Sequence, residues 1–256
     1  MLDRLLAALM FFTRLPLWRL KTVDAGCFRH VVDYWPFAGW LTGGVMAFTF
    51  WFCALFLPVT VAALLAMAVR IALTGALHED GLADFFDAFG GNNSRERTLA
   101  IMKDSHIGTY GVLGLTLYAG LLFSALTALP RAAVPALIFT GDIYAKAVGS
   151  MIIQQLPYAR REEESKARVI YEQPAGRGAL AHFLRCLAAL LPAAVWCYLE
   201  PCGLQVWMLL VPIAVELGLV ALMKRRIQGY TGDCCGAVFL VCELSFYLAC
   251  LCRPLT

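Results

Sequence analysis

Four carboxylates, Glu79, Asp80, Asp84 and Asp87, fall within nine residues of one stretch, "LHEDGLADFFDAFGG" at 77–91. Asp80, Asp84 and Asp87 stand at i, i+4 and i+7, so a helix through this stretch sets all three on one face, a turn apart. Like charges at that spacing repel unless a cation sits among them. Hard divalent ions take oxygen ligands, and Mg²⁺ binds one or two carboxylates together with substrate phosphates. The chemistry this pattern suits is therefore metal-assisted reaction at a diphosphate. Acidic residues also favour a helix N-terminus. That accounts for Glu79 and Asp80 but poorly for Asp87, two turns on.

Two more polar islands follow. "RERTLAIMKDSHIGTYG" (95–111) supplies Arg97 and Lys103, which can neutralise phosphate oxygens, and Asp104, a further ligand or a base. Its two glycines let backbone amides approach a ligand. The plainer reading is membrane-flanking cations and a packing glycine. "GYTGDCCGA" (229–237) places Thr231 and Asp233 in a glycine-rich segment, which reads as a turn contacting an anion or a metal. His30, His78, His106 and His182 show no paired-ligand spacing; His78 and Ser105 border the acidic region and are accessory candidates.

These residues must be positioned by a very apolar chain. It has 256 residues, 61% hydrophobic and 15% charged, against about 25% charged in soluble domains, and a mean hydropathy of +0.71. The expected fold is all-α: one integral-membrane domain over 1–256, a polytopic bundle of about seven transmembrane helices. A span needs roughly 20 apolar residues, and 35–57, 59–77, 107–129, 132–156, 179–199, 203–223 and a short 237–251 qualify. The N-terminal "MLDRLLAALMFFTRLP" is too short to span and reads as an interfacial amphipathic helix, with Arg4, Arg14 and Arg19 toward headgroups. "RREEESKAR" at 160–168 reads as a solvated loop or helix. Segments 1–34, 78–106, 157–178 and 224–236 carry 16 of the 21 Lys and Arg residues. The positive-inside rule then puts the N-terminus and every polar island in the cytoplasm.

A net charge of +3 gives no field for nucleic acid. The ten cysteines, without a CxxC pair and mostly inside apolar runs, read as small hydrophobes. Asp142, Lys146, Glu216 and Glu243 lie inside spans, where ionisable groups face the bundle interior. Asp142 and Lys146 are i, i+4 and pair, or Lys146 reaches a substrate phosphate; Glu216 and Glu243 pair with Arg70 or Arg185.

With these residues in hand the chain resembles the cobalamin synthase family, the adenosylcobinamide-GDP ribazoletransferases. The resemblance runs nearly end to end through "FFTRLP", "YWPFAGWLTGG", "LHEDGLADFFDAFGG", "RTLAIMKDSHIGTYGVLGL", "PYARREE" and "GYTGDCCGA" with a later "CE". It implies a Mg²⁺ enzyme of the cytoplasmic (inner) membrane. Its substrates would be adenosylcobinamide-GDP and α-ribazole or α-ribazole 5′-phosphate, with GMP leaving as cobalamin or its phosphate forms. Joined to the residue reading, Asp80, Asp84 and Asp87, with Asp104 or Asp233, hold metal. Arg97, Lys103, Lys146, Arg160 and Thr231 contact phosphates, and Asp104 or Asp87 takes the hydroxyl proton. Glu79, His106 and Lys146 depart from the family pattern, which commonly has leucine, arginine and arginine there, and Phe85 and Phe86 replace smaller residues.

Two other classes were weighed. CDP-alcohol phosphotransferases share a DG-x-x-A segment with spaced aspartates, but Asp84 stands where they carry arginine and the later aspartates fall out of register. A transporter would place its site near the midplane, often between repeated halves. Here the motifs gather at one interface and no repeat is visible. Oligomeric state, a homo-oligomer included, is left open, as is the lower-ligand base.

Overall fold

The computed structural model describes residues 1–160, 177–200 and 202–252. Within them the chain is helical, with one isolated backbone bridge between Tyr158 and Tyr230. The helices are α1 (Leu2–Phe12), α2 (Trp35–Ala54), α3 (Val59–Thr74), α4 (Leu77–Gly90), α5 (Arg95–Lys103) and α6 (Thr109–Ala128). They continue with α7 (Val134–Ser150), α8 (Ile152–Gln155), α9 (Arg177–Leu199), α10 (Val206–Ile227) and α11 (Gly232–Leu251). Among the described residues six helical segments are long and apolar enough to cross a membrane, and the bent pair α3 and α4 is so only when the two are taken together. This is the polytopic all-α bundle expected.

Two boundaries differ from expectation. The span expected at 59–77 ends at Thr74, because Gly75 (φ 68°) and Ala76 (φ 59°) both adopt the left-handed conformation. Two such residues in succession turn the chain, and α4 leaves at 91° to α3. The acidic stretch is thus a helix of its own. The segment at 229–237 is not a turn throughout: α11 starts at Gly232, capped by the Thr231 side chain, which accepts from Cys234 N at 3.4 Å. Asp233 therefore stands in the first turn of a helix.

Burial sets the architecture. In the apolar windows of α7 and α11, 83% and 72% of residues are buried, against 22% and 28% for α9 and α10. The first two form the centre and the others the rim. Phe48, Leu117, Leu191 and Leu210 point outward from the rim, the surface a bilayer covers. All ten cysteines are free.

One end of the bundle is tied together by arginines. Arg95 donates to Ile227 O and Ala159 O (3.0 Å each), while the Arg14 bond to Leu73 O (2.8 Å) comes from its backbone amide. Arg226 donates to Gly91 O (2.6 Å) and Arg160 to Leu99 O (2.8 Å). The extended segment 157–159 pairs with Tyr230 through Ala159 N to Tyr230 O (2.8 Å) and Tyr230 N to Pro157 O (3.0 Å). At the opposite end Arg131 donates to Ala54 O. Several cations that read as membrane-flanking charges are thus spent on backbone carbonyls. The stretch read as a solvated loop lies outside the described residues from 161 to 168.

Candidate active site

Two glycines bring the acidic helix against α11. A Cβ on Gly81 would lie 2.9 Å from Asp233 O, and one on Gly236 would lie 3.2 Å from the His78 backbone. Without those side chains the backbones approach closely, and carboxylates 153 residues apart in sequence, Asp80 and Asp233, line one cleft. Arg160 lines it too, its guanidinium held at the wall by Leu99 O. Phe11, Phe12, Trp35 and His78 complete an aromatic part of its lining. The cleft encloses about 120 Å³, less than the roughly 300 Å³ or more of a site that swallows a whole ligand. It suits one portion of a large substrate. Asp84 follows one turn along α4 and is half-buried.

Asp87 has a different setting. Its two oxygens accept from Gly108 N (2.7 Å) and Gly111 N (2.8 Å), at the start of α6. The amides expected to approach a ligand meet this carboxylate, which caps the helix from outside and complements its dipole. Asp87 also borders a shallow hollow with Asp104 and His106. His106 bonds Asp104 through ring Nδ1 (2.7 Å) and backbone N (3.0 Å), holding that carboxyl below the usual carboxylate range. Asp104 is thereby ionised at neutral pH and a weak proton acceptor. Arg97, Lys103 and Ser105 are exposed beside it.

Lys146 lies elsewhere, fully buried beneath the cleft. It donates to Asp142 and to Thr42 Oγ1 (2.9 Å) and sits 4.1 Å from the Phe239 ring centroid. Arg70 pairs with Glu243 (2.5 Å) and donates to Tyr118 (2.9 Å), while Tyr247 donates to Glu243 (3.0 Å). Of the alternatives left open, Asp142 takes Lys146 and Glu243 takes Arg70. Glu216 bonds Gln155 (2.6 Å), and Arg185 lies by Asp33 (3.4 Å).

A family model described as cobalamin-5-phosphate synthase matches residues 4–251. The chain belongs to the cobalamin-5-phosphate synthase family. Named relatives cover nearly the whole chain. An adenosylcobinamide-GDP ribazoletransferase of Leptothrix cholodnii is 38% identical, covering 94% of this chain and 92% of its own. Proteins of the same name from Shewanella sp. (strain W3-18-1) and Shewanella amazonensis are each 36% identical, covering 98% of this chain and 94% and 95% of theirs. No solved structure matches.

For a member of the cobalamin-5-phosphate synthase family the cleft can be tested against Mg²⁺. Among the described residues no three His, Cys, Asp or Glu side chains cluster as an all-protein cage. The cleft offers two carboxylates from different helices beside an arginine. That donor set fits Mg²⁺, which fills its remaining positions with water and substrate phosphates. Of the aromatic lining, His78 belongs to the acidic stretch, whereas Phe11 and Phe12 lie in "FFTRLP" and Trp35 in "YWPFAGWLTGG", two motifs that carry the family resemblance without showing a role.

Proposed function

We propose that the chain is a Mg²⁺-dependent adenosylcobinamide-GDP ribazoletransferase of the cytoplasmic membrane, its cleft facing the cytoplasm. Full-length relatives of that name support the reaction. The observation that carries the site is the meeting of Asp80, Asp233 and Arg160 in one cleft. The basic segments at the same end support the orientation.

In this reading a ribose hydroxyl of α-ribazole, or of its 5′-phosphate, attacks the phosphate on the corrinoid's arm. The new P–O bond forms as the bond to the GMP phosphate breaks. Asp80 and Asp233 would hold Mg²⁺, which when bound neutralises charge on the diphosphate. Arg160 holds a phosphate oxygen, and Arg97 and Lys103 attract the anionic substrate to this end. The hydroxyl proton leaves with the GMP phosphate, whose oxygen freed by the broken P–O bond accepts it. Asp87 holds α6 in place.

The test is purified, detergent-solubilised protein given adenosylcobinamide-GDP, α-ribazole 5′-phosphate and Mg²⁺. We expect GMP and a corrinoid product in equal amounts, lost with EDTA and restored by Mg²⁺. A folded preparation that releases no GMP would sink the reading.

A further inference from the structure

The cleft lining joins two unlike groups of residues, and the reaction above uses one. Besides Asp80, Asp233 and Arg160 it includes Phe11, Phe12, Trp35 and His78. Phe12 stacks on Trp35 (centroids 5.1 Å apart, planes at 13°), and Trp35 lies 5.5 Å from His78. Trp35 is 1% exposed and His78 3%, and among the described residues neither Trp35 Nε1 nor His78 Nε2 has a hydrogen-bond partner. An indole N–H can only donate. Buried donors are nearly always paired, because an unpaired one keeps its full desolvation penalty. Two orphaned polar atoms on residues of one aromatic wall mark a place where a ligand supplies the partner.

We infer that this aromatic part seats the base of the acceptor nucleoside, a planar heteroaromatic ring of the benzimidazole type, with Trp35 Nε1 donating to its ring nitrogen. The inference rests on the ribazoletransferase reading. Two nucleosides compete for the place. Guanine carries donors and acceptors along its edges and needs several polar partners, whereas a benzimidazole nucleoside offers one ring-nitrogen acceptor on an otherwise apolar plane. A wall of rings with two polar atoms matches the second. With the base there, its ribose lies between the rings and the carboxylates, so the attacking hydroxyl faces Asp80 and Asp233. Phe11 and Phe12 thereby give α1 a part in substrate binding.

The experiment is calorimetric titration of protein in lipid nanodiscs with α-ribazole and, separately, with GMP. Trp35→Phe keeps the ring and removes the N–H. We expect it to weaken α-ribazole about tenfold and to leave GMP within twofold of wild type, which also certifies the fold. Unchanged α-ribazole affinity, or a loss confined to GMP, overturns the inference. Should Trp35→Phe lose both ligands, Phe11→Ala, at a half-buried position, decides: selective loss of α-ribazole supports the seat, and equal or no loss overturns it. A wild-type protein that turns over while Trp35→Phe binds α-ribazole normally refutes the seat alone. Absence of GMP release from wild type refutes the reaction.

Discussion

The aspartates of the acidic helix look alike in sequence and do different work. Asp80 is exposed in the cleft, so Asp80→Asn should abolish GMP release and leave thermal stability unchanged. Asp87 holds two amides of α6. Asp87→Ala should lower stability by about 1–2 kcal/mol, the range for a lost helix cap, read as a lower Tm in detergent. Equal loss of stability in both variants would contradict this division. At Asp104 the carboxyl is held low by His106. That interaction is present above the unfolded carboxylate pKa and fades as pH falls through the folded value.

Among the elements, the contact of α4 with α11 decides whether the site exists. Each helix brings one cleft carboxylate, and Gly81 sets the distance between them. A methyl there meets backbone at 2.9 Å, which cannot rotate away. Gly81→Ala should therefore separate the helices and lower turnover on the order of 10²-fold, the effect of about 1 Å of misplacement, with normal amounts of protein in the membrane fraction. Unimpaired turnover would mean the close approach is dispensable. The corner at Gly75 serves the same end. It lays the acidic helix across the bundle, with Arg14 packed in the space a Gly75 side chain would need.

At the scale of the whole molecule, the bundle centre holds four buried charged residues, Arg70, Glu243, Asp142 and Lys146, which pair with one another. Removing one partner leaves the other buried and alone, at about 3–5 kcal/mol for such pairs. Arg70→Met should thus sharply lower Tm and yield, and Arg70→Met with Glu243→Met should recover part of the loss. No recovery would mean the arginine acts by packing rather than charge. The proposed orientation is tested by labelling intact cells stripped of their outer wall with an impermeant maleimide. Cys252, exposed after α11, should react directly, and Ser105→Cys only after permeabilisation. The reverse pattern would invert the topology.

The sequence by itself determined the environment, the fold class and the family. Hydropathy is summed over twenty residues at a time, so bundle and spans survive local error, and the long DGLAD and IMKDS segments carry the resemblance without coordinates. It showed that a helix would align Asp80, Asp84 and Asp87 without deciding that the acidic stretch, read as part of a cytoplasmic loop, is one. Only tertiary structure separated Asp87 from Asp80, since the glycine amides that claim Asp87 lie 21 and 24 residues on. It likewise enclosed Lys146, paired Glu243 with Arg70, and added an aromatic wall from α1 and α2 to the cleft. These outcomes depend on which backbones approach closely and on which buried charges find partners, and local spacing encodes neither.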